Sequence, residues 1–182
     1  MLGAGCLKES LIDPARMPRV ETSVMALVWG EPVRVLLARK SCMLDSYWAC
    51  DAVLPGGHVK GGESIVDAAL REAWEEAWVH PSTVRVLGGL PVETTRIGGI
   101  RIAPIVAVVN GPVCARPVGG EIDRVFWEPV SIVYSSERGP TRHPRRNIIV
   151  DGVRLRSGAV LWGATLRILE SLAERLKGCG LV

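Results

Sequence analysis

The chain has 182 residues and a formal net charge of +3, with 48% hydrophobic and 23% charged residues. That length supports a hydrophobic core within one domain, residues 1–182, and the balance excludes a disordered polyelectrolyte. So small a positive charge makes no electrostatic case for nucleic acid, and no apolar run reaches the roughly 18–20 residues of a membrane span. The N-terminus lacks a charged region leading into an apolar stretch and cleavage site, so the expected location is cytoplasmic.

Residues 1–18 mix Gly, Pro and charge without a period and read as an irregular lead-in. Two β-rich segments follow, Val20 to Trp29 and Val33 to Arg39, separated by the turn signal Gly30-Glu31-Pro32. Ser41 to Val53 reads as irregular, and Pro55-Gly56-Gly57 breaks the chain. Ser64 to Trp78 has no internal Gly or Pro; Ser64 followed by Asp67 begins like a capping box, and Ala68, Ala69, Ala73 and Ala77 favour helix. Further strands are expected at Thr83 to Leu87, Ile100 to Val109 and Val125 to Trp127, the last two separated by a loop from Gly111 to Gly120. Asn147 to Arg156 reads as a hairpin turning at Asp151-Gly152. A final helix from about Ala159 to Leu176 carries an apolar stripe at Leu161, Ala164, Ile168, Leu172 and Leu176. The sum is an α+β fold with a mixed sheet and two main helices.

Five cysteines, Cys6, Cys42, Cys50, Cys114 and Cys179, show no metal-type pair spacing and read as buried or half-buried thiols. The chain has no glutamine and only two asparagines, a depletion of thermolabile amides of the kind seen in thermophiles. In such an organism an intracellular disulfide is compatible with the sequence, which selects no pairing.

Chemistry concentrates between Gly57 and Val79. Residues three and four apart share a helix face, so Glu72, Glu75 and Glu76 project together, with Glu63 near the helix start. Like charges so crowded, without interspersed lysines, are best neutralised by a divalent cation, and hard oxygen ligands suit Mg²⁺ or Mn²⁺. An acidic solvated face is the commoner origin of such charge, but a Pro-Gly-Gly turn stands directly before this one. Its glycines let backbone approach a ligand and can offer the Gly56 carbonyl. Arg71, four residues before Glu75, is placed to orient the carboxylates.

The spacing resembles the Nudix box, G-x5-E-x7-R-E-U-x-E-E-x-G-U, with Gly57, Glu63, Arg71, Glu72, Glu75 and Glu76 all in place. Leu54-Pro55-Gly56-Gly57 matches the segment that usually precedes it. The resemblance implies an α/β/α sandwich with a mixed sheet and hydrolysis of a nucleoside diphosphate linked to another moiety, using Mg²⁺ or Mn²⁺. It implies Glu72, Glu75, Glu76 and the Gly56 carbonyl as metal ligands, and a general base either in the box or in a later loop, where Glu121 is the candidate. Family members are often homodimers. One departure stands out: Trp78 replaces the box glycine, whose left-handed conformation a tryptophan adopts poorly, so the helix is expected to run on towards His80 and stop at Pro81.

The resemblance extends to the coenzyme A pyrophosphatase subfamily. Leu36 to Ser41 resembles its L-L-T-x-R-S segment, Ile102 to Val106 its V-T-P-x-V strand, Glu121 to Trp127 its E-V-A-E-V-F-W segment, and Leu161 to Leu169 its I-W-G-A-T-A-R-I-L helix. Arg39, Lys40, Gly57 and His58 are the expected substrate-binding residues. Lys40 stands where the subfamily has arginine, and the region of Asp45 and Ala49 lacks its Arg and Gly. A coenzyme A-type nucleotide therefore shares the field with ADP-ribose, NADH and dinucleotides, and a lapsed nucleotide-binding module is the reading from outside enzymology. The basic stretch Arg138, Arg142, His143, Arg145 and Arg146 reads as a solvated loop or a phosphate contact. Tyr47 and Trp48 read as packing or base-stacking groups, and Trp74, Trp78 and Trp162 as packing or a dimer contact.

Overall fold

The computed structural model describes residues 4–182 apart from 110, 112 and 136. Of the stretch 1–18 expected to be irregular, residues 1–3 lie outside the described residues, and the remainder holds a short helix, α1 (Ala4–Glu9), and a 3-10 turn at Pro14–Arg16. Burial of Leu7 and a Cys6–Cys179 disulfide fasten it to the far end of the chain. A second disulfide joins Cys42 to Cys50, so four of the five cysteines are paired rather than free thiols.

Strands β1 (Thr22–Trp29) and β2 (Arg34–Lys40) are followed by the short β3 (Ala52–Val53) and β4 (Gly56–His58). Then come α2 (Ile65–Ala77), β5 (Val84–Gly89), β6 (Glu93–Thr94), β7 (Arg101–Val109) and β8 (Ile122–Pro129). The main sheet runs β3-β2-β1-β7-β5, with β4 on β1, β6 on β7 and β8 on β2. β1 and β7 are parallel and the other pairings antiparallel, giving a mixed sheet.

Both faces of this sheet are covered, which is why β1 and β7 read as continuous apolar runs. Met25, Leu27, Leu36, Ile105 and Ala107 pack towards Ala69, Ala73 and Ala77 of α2. Their neighbours Val24, Ala26, Leu37 and Val106 pack on the opposite side with Leu169, Leu172 and Leu176 of the last helix, α3 (Gly163–Gly178). The period-two alternation thus divides the core into two layers and yields the α/β/α sandwich. Small alanines on α2 let its backbone lie close to the sheet.

Between β8 and α3 lies a second, three-stranded sheet of β9 (Gly139–Arg142), β10 (Ile149–Arg154) and β11 (Val160–Trp162). Two expectations are corrected here. Asp151-Gly152 is not a turn: it lies inside β10, where Gly152 pairs with both Gly139 and Trp162. A Cβ on Gly152 would come within 2.5 Å of the Leu161 carbonyl, so close strand approach is what requires the glycine. Residues 160–162, expected as helix, form β11, and the helix begins only at Gly163.

The end of α2 also departs from the expected course. The helix stops at Ala77, and Trp78 takes the left-handed conformation (φ 58°, ψ 32°) that a glycine would supply. Its indole stacks on Trp74 with ring centroids 4.3 Å apart, and Arg116 lies 4.4 Å above the Trp78 ring. These contacts offset the steric cost of that backbone. The Trp78 and Val79 N–H groups are accepted by the Ala73 carbonyl, while Arg116 and Val118 N–H groups bond the Ala77 and Glu76 carbonyls. The helix end is therefore satisfied without glycine.

Candidate active site

Partway along its length β1 changes partner. It pairs with β2 at Val28 and Trp29 but with β4 at Thr22 to Val24. The splay between β1 and β2 admits Gly56-Gly57 against the acidic face of α2. Ser64 starts that helix, its Oγ accepting the Asp67 N–H at 3.1 Å. The Ser23 hydroxyl, buried in β1, donates to the Ile65 carbonyl at 2.7 Å and ties the helix start to the sheet.

Arg71 is the hub of the exposed half of the site. Its Nε and Nη2 donate to the two oxygens of Glu63 at 2.8 and 3.0 Å, and its Nη1 to Glu72 at 2.5 Å and Glu75 at 3.0 Å. Nη2 also donates to the His58 carbonyl at 3.0 Å, which joins β4 to the helix. The bidentate Arg71 pairing, with a Lys60 N–H bond, lowers the Glu63 carboxyl pKa to about 2. Glu72 lies so close to Gly57 that a Cβ there would meet its Oε1 at 2.6 Å. The second glycine of the turn is thus set by carboxylate approach.

Glu76 is the buried member, 8% exposed. It accepts from Lys40 Nζ at 2.8 Å and from the Gly56 N–H at 3.0 Å. Burial pushes its pKa up, opposed by the Lys40 charge and these hydrogen bonds. Lys40 also reaches Glu121 at 3.1 Å, which brings the later-loop glutamate to the same corner. Arg39 points elsewhere: its guanidinium forks onto Asp123 at 2.6 and 2.8 Å and bonds the Ser157 carbonyl. His58 is exposed and lines the cavity described next.

Among the described residues, no three His, Cys, Asp or Glu side chains converge tightly enough to grip an ion as they stand; Arg71 and Lys40 take up the carboxylates. The donors still fit a hard divalent ion in kind, being three glutamates of one helix face beside a glycine backbone. Glu72, Glu76, Gly56 and Gly57 border a cavity of about 920 Å³ whose far wall includes Trp162 to Ile168. Lys60, Arg96, Arg138 and Arg167 supply positive charge around it.

One cluster on this wall was absent from the sequence expectations. Asp51, 3% exposed, accepts from His143 Nε2 at 2.6 Å, Trp162 Nε1 at 2.9 Å and Arg146 Nη2 at 2.9 Å. Burial raises the Asp51 pKa against these three partners. His143 Nδ1 accepts the Arg145 and Arg146 N–H groups at 3.2 and 3.1 Å, which leaves the proton on Nε2, facing Asp51. Of the basic stretch, His143 and Arg146 are therefore structural, and Arg138 pairs with Asp151 and Glu170 at the cavity edge. The available signal was an aspartate inside the apolar run Ala49 to Leu54.

The Nudix domain family model matches residues 19–150, and the chain belongs to the Nudix hydrolase family, enzymes acting on phosphorus-containing anhydrides. An uncharacterized Nudix hydrolase, NudL, of Pectobacterium atrosepticum is 26% identical over 171 residues, covering 91% of this chain and 86% of the relative. The NudL of Escherichia coli SMS-3-5 is 35% identical over 98 residues, which span 53% of this chain and 50% of the relative. The solved Nudix domain of Shewanella oneidensis NrtR, complexed with ADP ribose, aligns over 97% of this chain and 99% of its own with a TM-score of 0.56 at 18% identity, a likeness of fold. No helix among the described residues is long and apolar enough to cross a membrane.

Proposed function

We propose that the protein is a divalent-metal-dependent pyrophosphohydrolase that splits the diphosphate of a nucleoside diphosphate derivative, with a coenzyme A-type nucleotide as substrate. The observation that carries this reading is the shared cavity: Glu72 and Glu76 border the same space as Gly56, Gly57 and the start of α3. Its volume of about 920 Å³ suits a ligand larger than a mononucleotide. Glu72, Glu75, Glu76 and the Gly56 carbonyl would hold Mg²⁺ or Mn²⁺, which when bound activates water and stabilises charge on phosphate oxygens. Arg71 fixes the rotamers of Glu63, Glu72 and Glu75. Lys40 neutralises the buried Glu76, and Glu121 beside it is the outside candidate for general base. Gly57 and His58 border the substrate, which is a small-molecule nucleotide rather than nucleic acid.

The coenzyme A reading is supported by the Trp162-Gly163-Ala164-Thr165 segment, whose resemblance to that subfamily falls on the cavity wall. A second reading, ADP-ribose, NADH or a dinucleotide, is favoured by the state of Lys40. Its ammonium is already engaged by two glutamates where the subfamily has an arginine. Incubation with coenzyme A, ADP-ribose, NADH and diadenosine polyphosphates, each with Mg²⁺ or Mn²⁺, separates these readings. Phosphopantetheine release with the highest kcat/KM is the expected result. Preferred cleavage of another substrate transfers the assignment to it, and binding without cleavage of any identifies a lapsed module.

A further inference from the structure

We propose that Trp162 and Trp48 form a base-stacking subsite in this cavity, and that Asp51 is the positioning residue that holds it in place. The inference rests on the nucleotide-hydrolase reading but concerns binding, and it is tested without turnover.

Both indoles line the cavity and both are half-buried, so each keeps surface available to a ligand. The Trp162 ring cannot rotate freely. Its Nε1–H is spent on Asp51 at 2.9 Å, and Arg146 lies 4.9 Å over the ring. With its one donor taken, the indole has only its π surface to offer. A π surface accepts any flat base and reads little of its hydrogen-bonding edge. Tyr47, the other aromatic of this loop, lies under the Arg146 guanidinium at 3.8 Å and does not line the cavity.

Asp51 is placed to control this wall because it joins segments that otherwise part. Its backbone carbonyl accepts the Lys40 N–H at 3.0 Å and its chain bridges to Val160, just before Trp162. Its carboxylate gathers His143, Arg146 and Trp162, from the loop after β9 and the end of β11. Arg146 Nε and Nη1 are buried without a hydrogen-bond partner, so the guanidinium depends on Asp51 and the flanking rings for its compensation. The cluster thus locks one stacking ring in the same unit that supports Lys40 at the carboxylate corner.

The test is metal-free equilibrium binding of ADP, compared with inorganic pyrophosphate, which shares the anionic group but has no base. For the unaltered protein ADP is expected to bind at least tenfold more tightly than pyrophosphate. Trp162→Ala should weaken ADP by roughly fivefold to a hundredfold with pyrophosphate unchanged, the range expected for loss of one base–aromatic stack. Trp162→Phe, which keeps a ring, should recover most of that loss. Asp51→Asn should also lower the ADP-to-pyrophosphate ratio, a selective change that general loosening of the fold would not produce. Equal affinity of the unaltered protein for ADP and pyrophosphate overturns the subsite. So does a Trp162→Ala variant that keeps its ADP affinity or loses both ligands alike. Selective ADP loss in a protein that cleaves nothing would retain the subsite while defeating the hydrolase reading.

Discussion

Two charged clusters border the cavity, and they are built in opposite ways. The Arg71 cluster comes from one short stretch, is partly open to solvent, and collects four groups around one guanidinium. The Asp51 cluster comes from three distant segments, buries its carboxylate and imidazole, and collects three donors around one carboxylate. In the first, repulsion between glutamates is held in check by a cation that can share them with an ion. In the second, the Asp51 carboxylate is engaged by His143, Arg146 and Trp162, so that what the cluster presents to a ligand is the Trp162 ring rather than its charge. The contrast separates a site that can exchange partners from a joint that sets where its walls stand.

The largest effect should follow from breaking the joint. Asp51→Ala leaves Arg146 buried without its counter-charge and is expected to cost about 3–5 kcal/mol, a fall of roughly 6–20 °C in melting temperature. A melting temperature within a degree or two of the unaltered protein would show that the cluster is dispensable. Arg71→Lys keeps the charge but cannot fork onto Glu63 while reaching Glu72 and Glu75. It should lower kcat by roughly 10–100-fold with little change in melting temperature, as expected if Arg71 orients the carboxylates proposed to hold the metal. Trp78→Gly removes the left-handed strain and the stack on Trp74 together, so stability should stay within about 1 kcal/mol. A much larger loss would mean that the aromatic cap, rather than the backbone form, terminates α2.

The smallest effect is a pH dependence. Glu63 has a folded pKa of about 2, below its ordinary value of 4.5. Its pairing therefore contributes fully above the unfolded value and is lost as pH falls through the folded one. The melting-temperature advantage of the unaltered protein over Glu63→Gln should shrink between about pH 4.5 and 2. An advantage that grows on acidification would contradict the Glu63–Arg71 geometry.

The same contrast explains what could be read from sequence. Glu72, Glu75 and Glu76 declare themselves because helical spacing puts neighbours in sequence on one face. β1, β2 and β7 do so because a sheet covered on both sides demands apolar runs. Asp51 and His143 are 92 residues apart, and Asp51 and Trp162 are 111 apart, so no local period links them. Asp151-Gly152 misleads because glycine serves a close strand approach as readily as a turn. Trp78 misleads because tertiary contacts to Trp74 and Arg116 offset an unfavourable backbone. Residues 4–18 are fastened by a disulfide to a partner that sequence could not select. Lys40 was expected to meet substrate, and its double engagement with Glu76 and Glu121 appears only once the strands are placed.

The role proposed for the box glutamates is metal-dependent pyrophosphate hydrolysis. Its most direct test is coenzyme A turnover with and without Mg²⁺ or Mn²⁺, in the unaltered protein and in Glu76→Gln. Cleavage is expected to require the added ion and to fall by more than about 100-fold in the variant, since loss of a proposed metal ligand should exceed loss of an orienting residue. Cleavage that proceeds equally without ions, or that survives intact in Glu76→Gln, would contradict it.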